Sequence, residues 1–148
     1  MSINPALAGR VYPAGDPYVV GREKIREFAA AVKATNTAHF DVEAAGALGY
    51  ADVVAPPTFA VLIAQRADAQ LIADPDSGID FSRVVHADQR FTHHRPIVAG
   101  DELVTELHVD TVRAMGGGAM ITTRAEISTT GGRHVATSVS SLLVRGEE

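Results

Sequence analysis

A chain of 148 residues with 46% hydrophobic and 21% charged residues has the apolar content for one packed domain and too little charge for a disordered polymer. Its net charge of -5, with no basic run, argues against nucleic acid and against an anionic membrane surface as partners. The absence of cysteine excludes disulfides, thiolate metal ligands and a cysteine nucleophile.

Residues 1–17 are rich in Gly and Pro and read as an irregular lead-in. They lack the charged and apolar blocks of a signal peptide, and no apolar run approaches the ~20 residues of a membrane helix, so a soluble, cytoplasmic chain is expected. "PYVV" is a short strand candidate. "GREKIREFAAAVKAT" places Ile25, Phe28, Ala29 and Val32 on one face of an amphipathic helix. A polar loop carrying His39 follows. "DVEAAGALGY" then reads as a short helix capped by Asp41 and closed near Gly49.

"PPTFAVLIAQRADAQLIAD" opens with Pro57 where a missing N–H costs little. Phe59, Val61, Leu62, Ile63 and Ala64 make it apolar almost all round, which predicts a helix buried on most sides that emerges into water from Arg66 to Gln70. The period then changes to two. "RVVHADQRFTHH" is a strand candidate. "ELVTELHVDTV" puts Leu103, Thr105, Leu107 and Val109 on one face, and "MITTRAEISTT" does the same with Ile121, Thr123, Ala125 and Ile127. "AMGGGAM" and the Gly131–Gly132 pair are turns, and "HVATSVSSLLV" is the last strand. A buried helix followed by an antiparallel meander predicts an α+β architecture, a sheet of about five strands wrapped around a central helix. The edges of such a sheet favour pairing with a second copy.

The remaining motifs are negative. His93 and His94, adjacent in a strand, are expected to point to opposite faces, and His86, His108 and His134 have no partner at ligand spacing, so no metal site is expected. The Gly-bearing stretches do not open a helix after a strand and lack a phosphate-loop Lys. Ser138, Ser140 and Ser141 lack a nucleophile elbow. No cofactor is implied. "VVAPPTF" brings a helix N-terminus, where N–H groups stabilise oxygen ligands, some residues after the loop His; alternatively, Pro56 and Pro57 simply start the helix.

Taken together, "VGREKIREFAAAV", "LGYADVVAPPTFA" and "RFTHHRPIVAGDEL" resemble the MaoC-like hot-dog (3R)-hydroxyacyl thioester dehydratases. The likeness is greatest to the substrate-binding A-type subunits of actinobacterial (3R)-hydroxyacyl-ACP dehydratases and to the related UPF0336 proteins. It spans roughly residues 18–144 of the chain. The catalytic loop of that family resembles G-D-x-N-P-x-H. Here the stretch reads Lys33-Ala34-Thr35-Asn36-Thr37-Ala38-His39, so Asn36 and His39 match while Lys33 and Ala34 replace the Gly and the Asp. The family's A-H-G at the central helix reads Ala55-Pro56-Pro57, and Pro57 has no N–H to offer a thioester oxygen.

The resemblance implies an acyl thioester on ACP or CoA as ligand. It implies His39 as a base supported by Asn36, and Pro57, Thr58, Phe59, Leu62 and Ile63 as acyl-contacting residues. Phe59, Leu62 and Ile63 are equally the pattern of a plain core, and His39 is equally a hydrogen-bonding loop residue. With the Asp position holding Ala34, a substitute acid would have to be Asp41 or Asp52. The expected role is therefore a subunit that needs a B-type hot-dog partner to supply the Asp and His. A non-catalytic acyl-binding or structural homodimer is the rival. A hot-dog thioesterase would need a carboxylate or an activated water at the helix end, and "APPTFAV" offers none.

Overall fold

The structure is a computed structural model and describes residues 3–146. Six antiparallel strands form one sheet in the order β1-β4-β5-β6-β3, with β2 also paired to β4. They are β1 (Val11–Tyr12), β2 (Tyr18–Val19), β3 (Val84–His93), β4 (Glu102–Met115), β5 (Gly118–Thr129) and β6 (His134–Val144). Three helices, α1 (Arg22–Ala31), α2 (Val42–Ala47) and α3 (Ala60–Ala73), come before β3. α3 lies across β4, β5 and β6, which is the hot-dog arrangement.

The meander follows the expected alternation. Leu103, Leu107 and Val109 of β4, and Ile121, Ala125 and Ile127 of β5, are buried under α3. The β4–β5 turn contains only Gly116 and Gly117, both at positive φ (48° and 88°), the geometry a two-residue hairpin needs. β3 pairs only with β6, so its other side is an open edge. Its register shifts between His86 and Asp88, a β-bulge.

Three expectations change. The lead-in contains a 3-10 turn, Pro5–Leu7, and the two-residue β1, whose Tyr12 and the turn's Leu7 are buried; a strand of two residues is too short to show a period. α3 buries a stripe, Ala60, Ile63, Ala64, Ala67 and Leu71, rather than most of its surface, and Val61 and Leu62 are half-buried. Its far half does not wholly leave the protein: Ala67 and Leu71 stay packed while Arg66, Ala69, Ile72 and Ala73 face out.

α1 and α2 end alike. In α1 the Ala34 N–H reaches the Ala29 carbonyl (2.8 Å) and the Lys33 N–H the Ala30 carbonyl (3.1 Å). In α2 Tyr50 reaches Ala45 (3.0 Å) and Gly49 reaches Gly46 (3.0 Å). This is the left-handed cap that glycine favours. Gly49 adopts it at φ 91°, and Lys33 at φ 59° is the sole non-glycine with positive φ among the described residues. The family's Gly at that place thus has a backbone reason.

Candidate functional site

The cap at Lys33 turns the chain into the loop that carries His39. Asn36 opens a 3-10 turn, Thr37–His39, and its side-chain oxygen accepts from the Ala38 N–H (3.0 Å). The turn is tied to the segment before α3 by two bonds. The Val54 N–H donates to the Ala38 carbonyl (3.0 Å), and His39 Nδ1 lies 2.6 Å from the Val54 carbonyl. A carbonyl can only accept, so Nδ1 carries the hydrogen. The neutral ring then presents Nε2 as a lone-pair acceptor.

His39 lines a cavity of about 460 Å³ together with Asn36, Tyr50, Pro57, His93 and His94. The structure thus brings Asn36, His39 and Pro57 together. Thr58 is exposed beside Pro57. Phe59 and Ile63 are buried in the core, Phe59 edge-on to Phe28 at 5.4 Å, and Leu62 packs against that core half-buried; none of these four lines the cavity.

The strand rule puts the adjacent His93 and His94 on opposite faces. β3 ends at His93, so the alternation stops there and both rings reach the same cavity. His93 Nε2 donates to the Pro57 carbonyl (2.8 Å), 36 residues away in the chain. His94 lies 4.2 Å, centroid to centroid, from His134, which in turn pairs with Glu126 (2.7 Å). The only cue in the sequence was "THHRP" breaking the strand with a proline.

Among the described residues no carboxylate lines the cavity. Asp41 caps α2 through the Glu43 N–H (3.2 Å). Asp52 forms a fork with Arg22 (3.0 and 2.8 Å), and that hydrogen bond holds its carboxyl below the usual range, which makes it a poorer acid. The cavity's Arg95 is neutralised by Asp101 (2.8 and 3.0 Å). Among the described residues no cluster of three or more His, Asp or Glu could hold a metal ion, and no helix is long and apolar enough to cross a membrane.

Residues 6–138 match the FAS1-like, dehydratase domain region family. The chain belongs to that family. A UPF0336 protein of Leifsonia xyli subsp. xyli is 56% identical over 99% of this chain and 98% of its own length. Among solved structures, a chain of the C-terminally truncated HadBC (3R-hydroxyacyl-ACP dehydratase) complex of Mycobacterium tuberculosis superposes with TM-score 0.85 at 35% identity, covering 93% of this chain and 96% of that one. A MaoC-like dehydratase superposes with TM-score 0.87 at 34% identity, over 95% of this chain but 43% of that one. Membership in this hot-dog dehydratase family supports a dehydratase-type role for the chain. Within that family's loop, this member keeps Asn36 and His39 around the cavity and has Ala34 and Pro57 where the acid and the N–H donor are expected.

Proposed function

We propose that this single-domain chain is a subunit of a (3R)-hydroxyacyl thioester dehydratase or hydratase. It would hold an acyl group carried on ACP or CoA and depend on a second hot-dog chain for full catalysis. The observation that carries the reading is a cavity that joins Asn36 and His39 to the start of α3 yet, among the described residues, contains no carboxylate. Dehydration removes a proton alpha to a thioester and expels hydroxide from the neighbouring carbon, so it needs a base, an acid and donors for the developing enolate oxygen. His39 Nε2 is suited to the first task. Ala34 leaves the second unfilled, the carboxylates of Asp41 and Asp52 are engaged elsewhere, and Pro57 lacks the N–H for the third. The likeness to a chain of the HadBC complex supports a two-chain assembly.

A second reading is favoured by His93. Two imidazoles in one cavity, each tied by one nitrogen to a carbonyl, each present the other nitrogen as a proton acceptor; one acting as base and the other, once protonated, as acid would make the chain self-sufficient. The deciding experiment is hydration of trans-2-octenoyl-CoA, followed by loss of enoyl absorbance. It is run with the chain alone and with a hot-dog partner that carries an intact G-D-x-N-P-x-H. Turnover only in the mixture, unchanged by His39→Ala, is the expected result. Turnover by the chain alone, lowered ~10²–10⁴-fold by His39→Ala and also by His93→Ala, would replace it with the second reading. No turnover in either case would leave a non-catalytic acyl-binding or structural homodimer.

A further inference from the structure

A cavity that takes a thioester must meet its carbonyl oxygen, because an acceptor withdrawn from water without a donor weakens binding. The walls around His39 offer few donors. Pro56, Pro57 and Pro96 line the cavity and have no N–H. The N–H groups of Ala38, His39, Val54, Ala55 and His94 are engaged by acceptors of the chain itself, at 2.8–3.1 Å.

The side chains narrow the choice further. His39 Nδ1 and His93 Nε2 donate to carbonyls, so each neutral ring turns an acceptor to any ligand. The Arg95 guanidinium is engaged by Asp101 (2.8 and 3.0 Å) and by the Pro96 carbonyl (2.8 Å). Asn36 and His94 are exposed, where water competes for their N–H groups.

Tyr50 differs from all of these. It is half-buried and carries the only hydroxyl of the lining among the described residues. That hydroxyl makes no hydrogen bond among the described residues, yet it is not sealed in: every fully enclosed side-chain oxygen or nitrogen there has a partner, so an unpartnered one opens onto accessible space. Its position is fixed through the backbone. The left-handed Gly49 lets the Tyr50 N–H reach the Ala45 carbonyl (3.0 Å), and the side chain packs against the cluster of Ala38, Ala45 and Val54. His39 is tied to the carbonyl of the same Val54 (2.6 Å). A proton acceptor and an O–H donor thus share one wall. In a thioester the carbon that loses the alpha proton is bonded to the carbonyl carbon, so the groups that serve the two have to be neighbours.

We propose that the Tyr50 hydroxyl donates to the carbonyl oxygen of a bound acyl thioester, the contact for which Pro57 has no N–H. The contact rests on the reading of this cavity as an acyl-thioester site, whichever chain completes the chemistry, and adds the group that recognises the carbonyl. A phenol held in a partly dry wall favours a ligand with a carbonyl at that point over one without.

Calorimetric titration of the full chain compares octanoyl-CoA with S-octyl-CoA, a thioether of the same length that lacks the carbonyl oxygen. Tyr50→Phe removes the hydroxyl and keeps the ring that packs beside Val54, and its thermal midpoint checks that the fold is kept. The wild type should bind octanoyl-CoA about five- to tenfold more tightly than the thioether, the size of one neutral hydrogen bond. Tyr50→Phe should bind both ligands alike, through weaker thioester binding and unchanged thioether binding. In infrared difference spectra the stretch of an isotope-labelled thioester carbonyl should lie lower in the wild-type complex than in the Tyr50→Phe complex, a shift that a merely structural role would not produce. Equal binding of the two ligands by the wild type, or a thioester preference that survives Tyr50→Phe, would overturn the proposal and leave the acyl-thioester reading standing; Asn36→Ala and His94→Ala would then identify another donor. Absence of binding of either ligand by the wild type would overturn both.

Discussion

At the His39 end of β3 and at the Arg83 end, a cavity of similar size is lined by side chains that backbone carbonyls hold in place. The same device has opposite consequences because the side chains differ. An imidazole tied through one nitrogen has a single other nitrogen left, and the tie decides that nitrogen's protonation in the neutral ring. Such a group can move a proton. A guanidinium tied through one N–H keeps its charge and several donors, and cannot give up a proton at any ordinary pH. The two ends of β3 thus carry side chains of different chemistry, imidazoles at one and guanidiniums at the other.

The sharpest way to break the His39 end alone is Phe59→Ala. Phe59 is fully buried beside Phe28, and its removal should lower stability by about 3–5 kcal/mol in a urea titration. A smaller loss with a changed acyl-length preference would mean that the ring contacts substrate instead. At the other end, Gly118→Ala forces a Cβ into the Val144 carbonyl and should cost about 2–3 kcal/mol, with the shape of the cavity there lost first.

Asp68 tests the helix that joins the two ends. Burial raises its carboxyl to about 6, against a small opposing effect of His86. Between the ordinary carboxylate range and that value, the native chain holds a proton that the unfolded chain has released. Stability therefore falls as pH rises through this window and stays lower above it. Asp68→Asn should gain about 2 kcal/mol at about pH 8 and nothing at about pH 4, read as thermal midpoints at each pH.

The smallest expected effects are at the matched helix caps. Lys33→Gly should stabilise the loop that carries His39 by about 0.5–1 kcal/mol, and Gly49→Ala should cost about 1 kcal/mol. A gain at Lys33 smaller than the cost at Gly49 would show that Lys33 gains something from its side chain that offsets the left-handed backbone.

The long-period features were legible in the sequence. The alternation of Leu103 to Val109 and of Ile121 to Ile127, and the α1 face of Ile25, Phe28 and Ala29, reflect burial against a large neighbour, which imposes a period on many residues at once, whereas Val32, expected on that face, follows the helix end and is exposed. The placement of Asn36 and His39 in one short turn was legible because its capping is local. His93 was not. Its contact to Pro57 joins segments that meet only after the sheet has closed, and the strand rule that separated it from His94 stops applying where the strand stops. The cavity at the Arg83 end was hidden for a similar reason: it is formed by two turns and the chain ends, none of which has a period. The stripe on α3 was overestimated because Val61 and Leu62 are apolar without being deeply buried, and apolar side chains commonly remain at the surface.

The bulge at His86–Asp88 bears on a hazard of β3. A ten-residue strand with one unpaired side is a template for indiscriminate stacking, the route to insoluble aggregates. The bulge divides that template into two short runs out of step with each other, and the Asp88 and Arg90 side chains, 3.8 Å apart, put charge on the second. A regular strand from an unrelated chain can match one run but not both. A variant that straightened the bulge by deleting Ala87 would be expected to aggregate before it lost its fold.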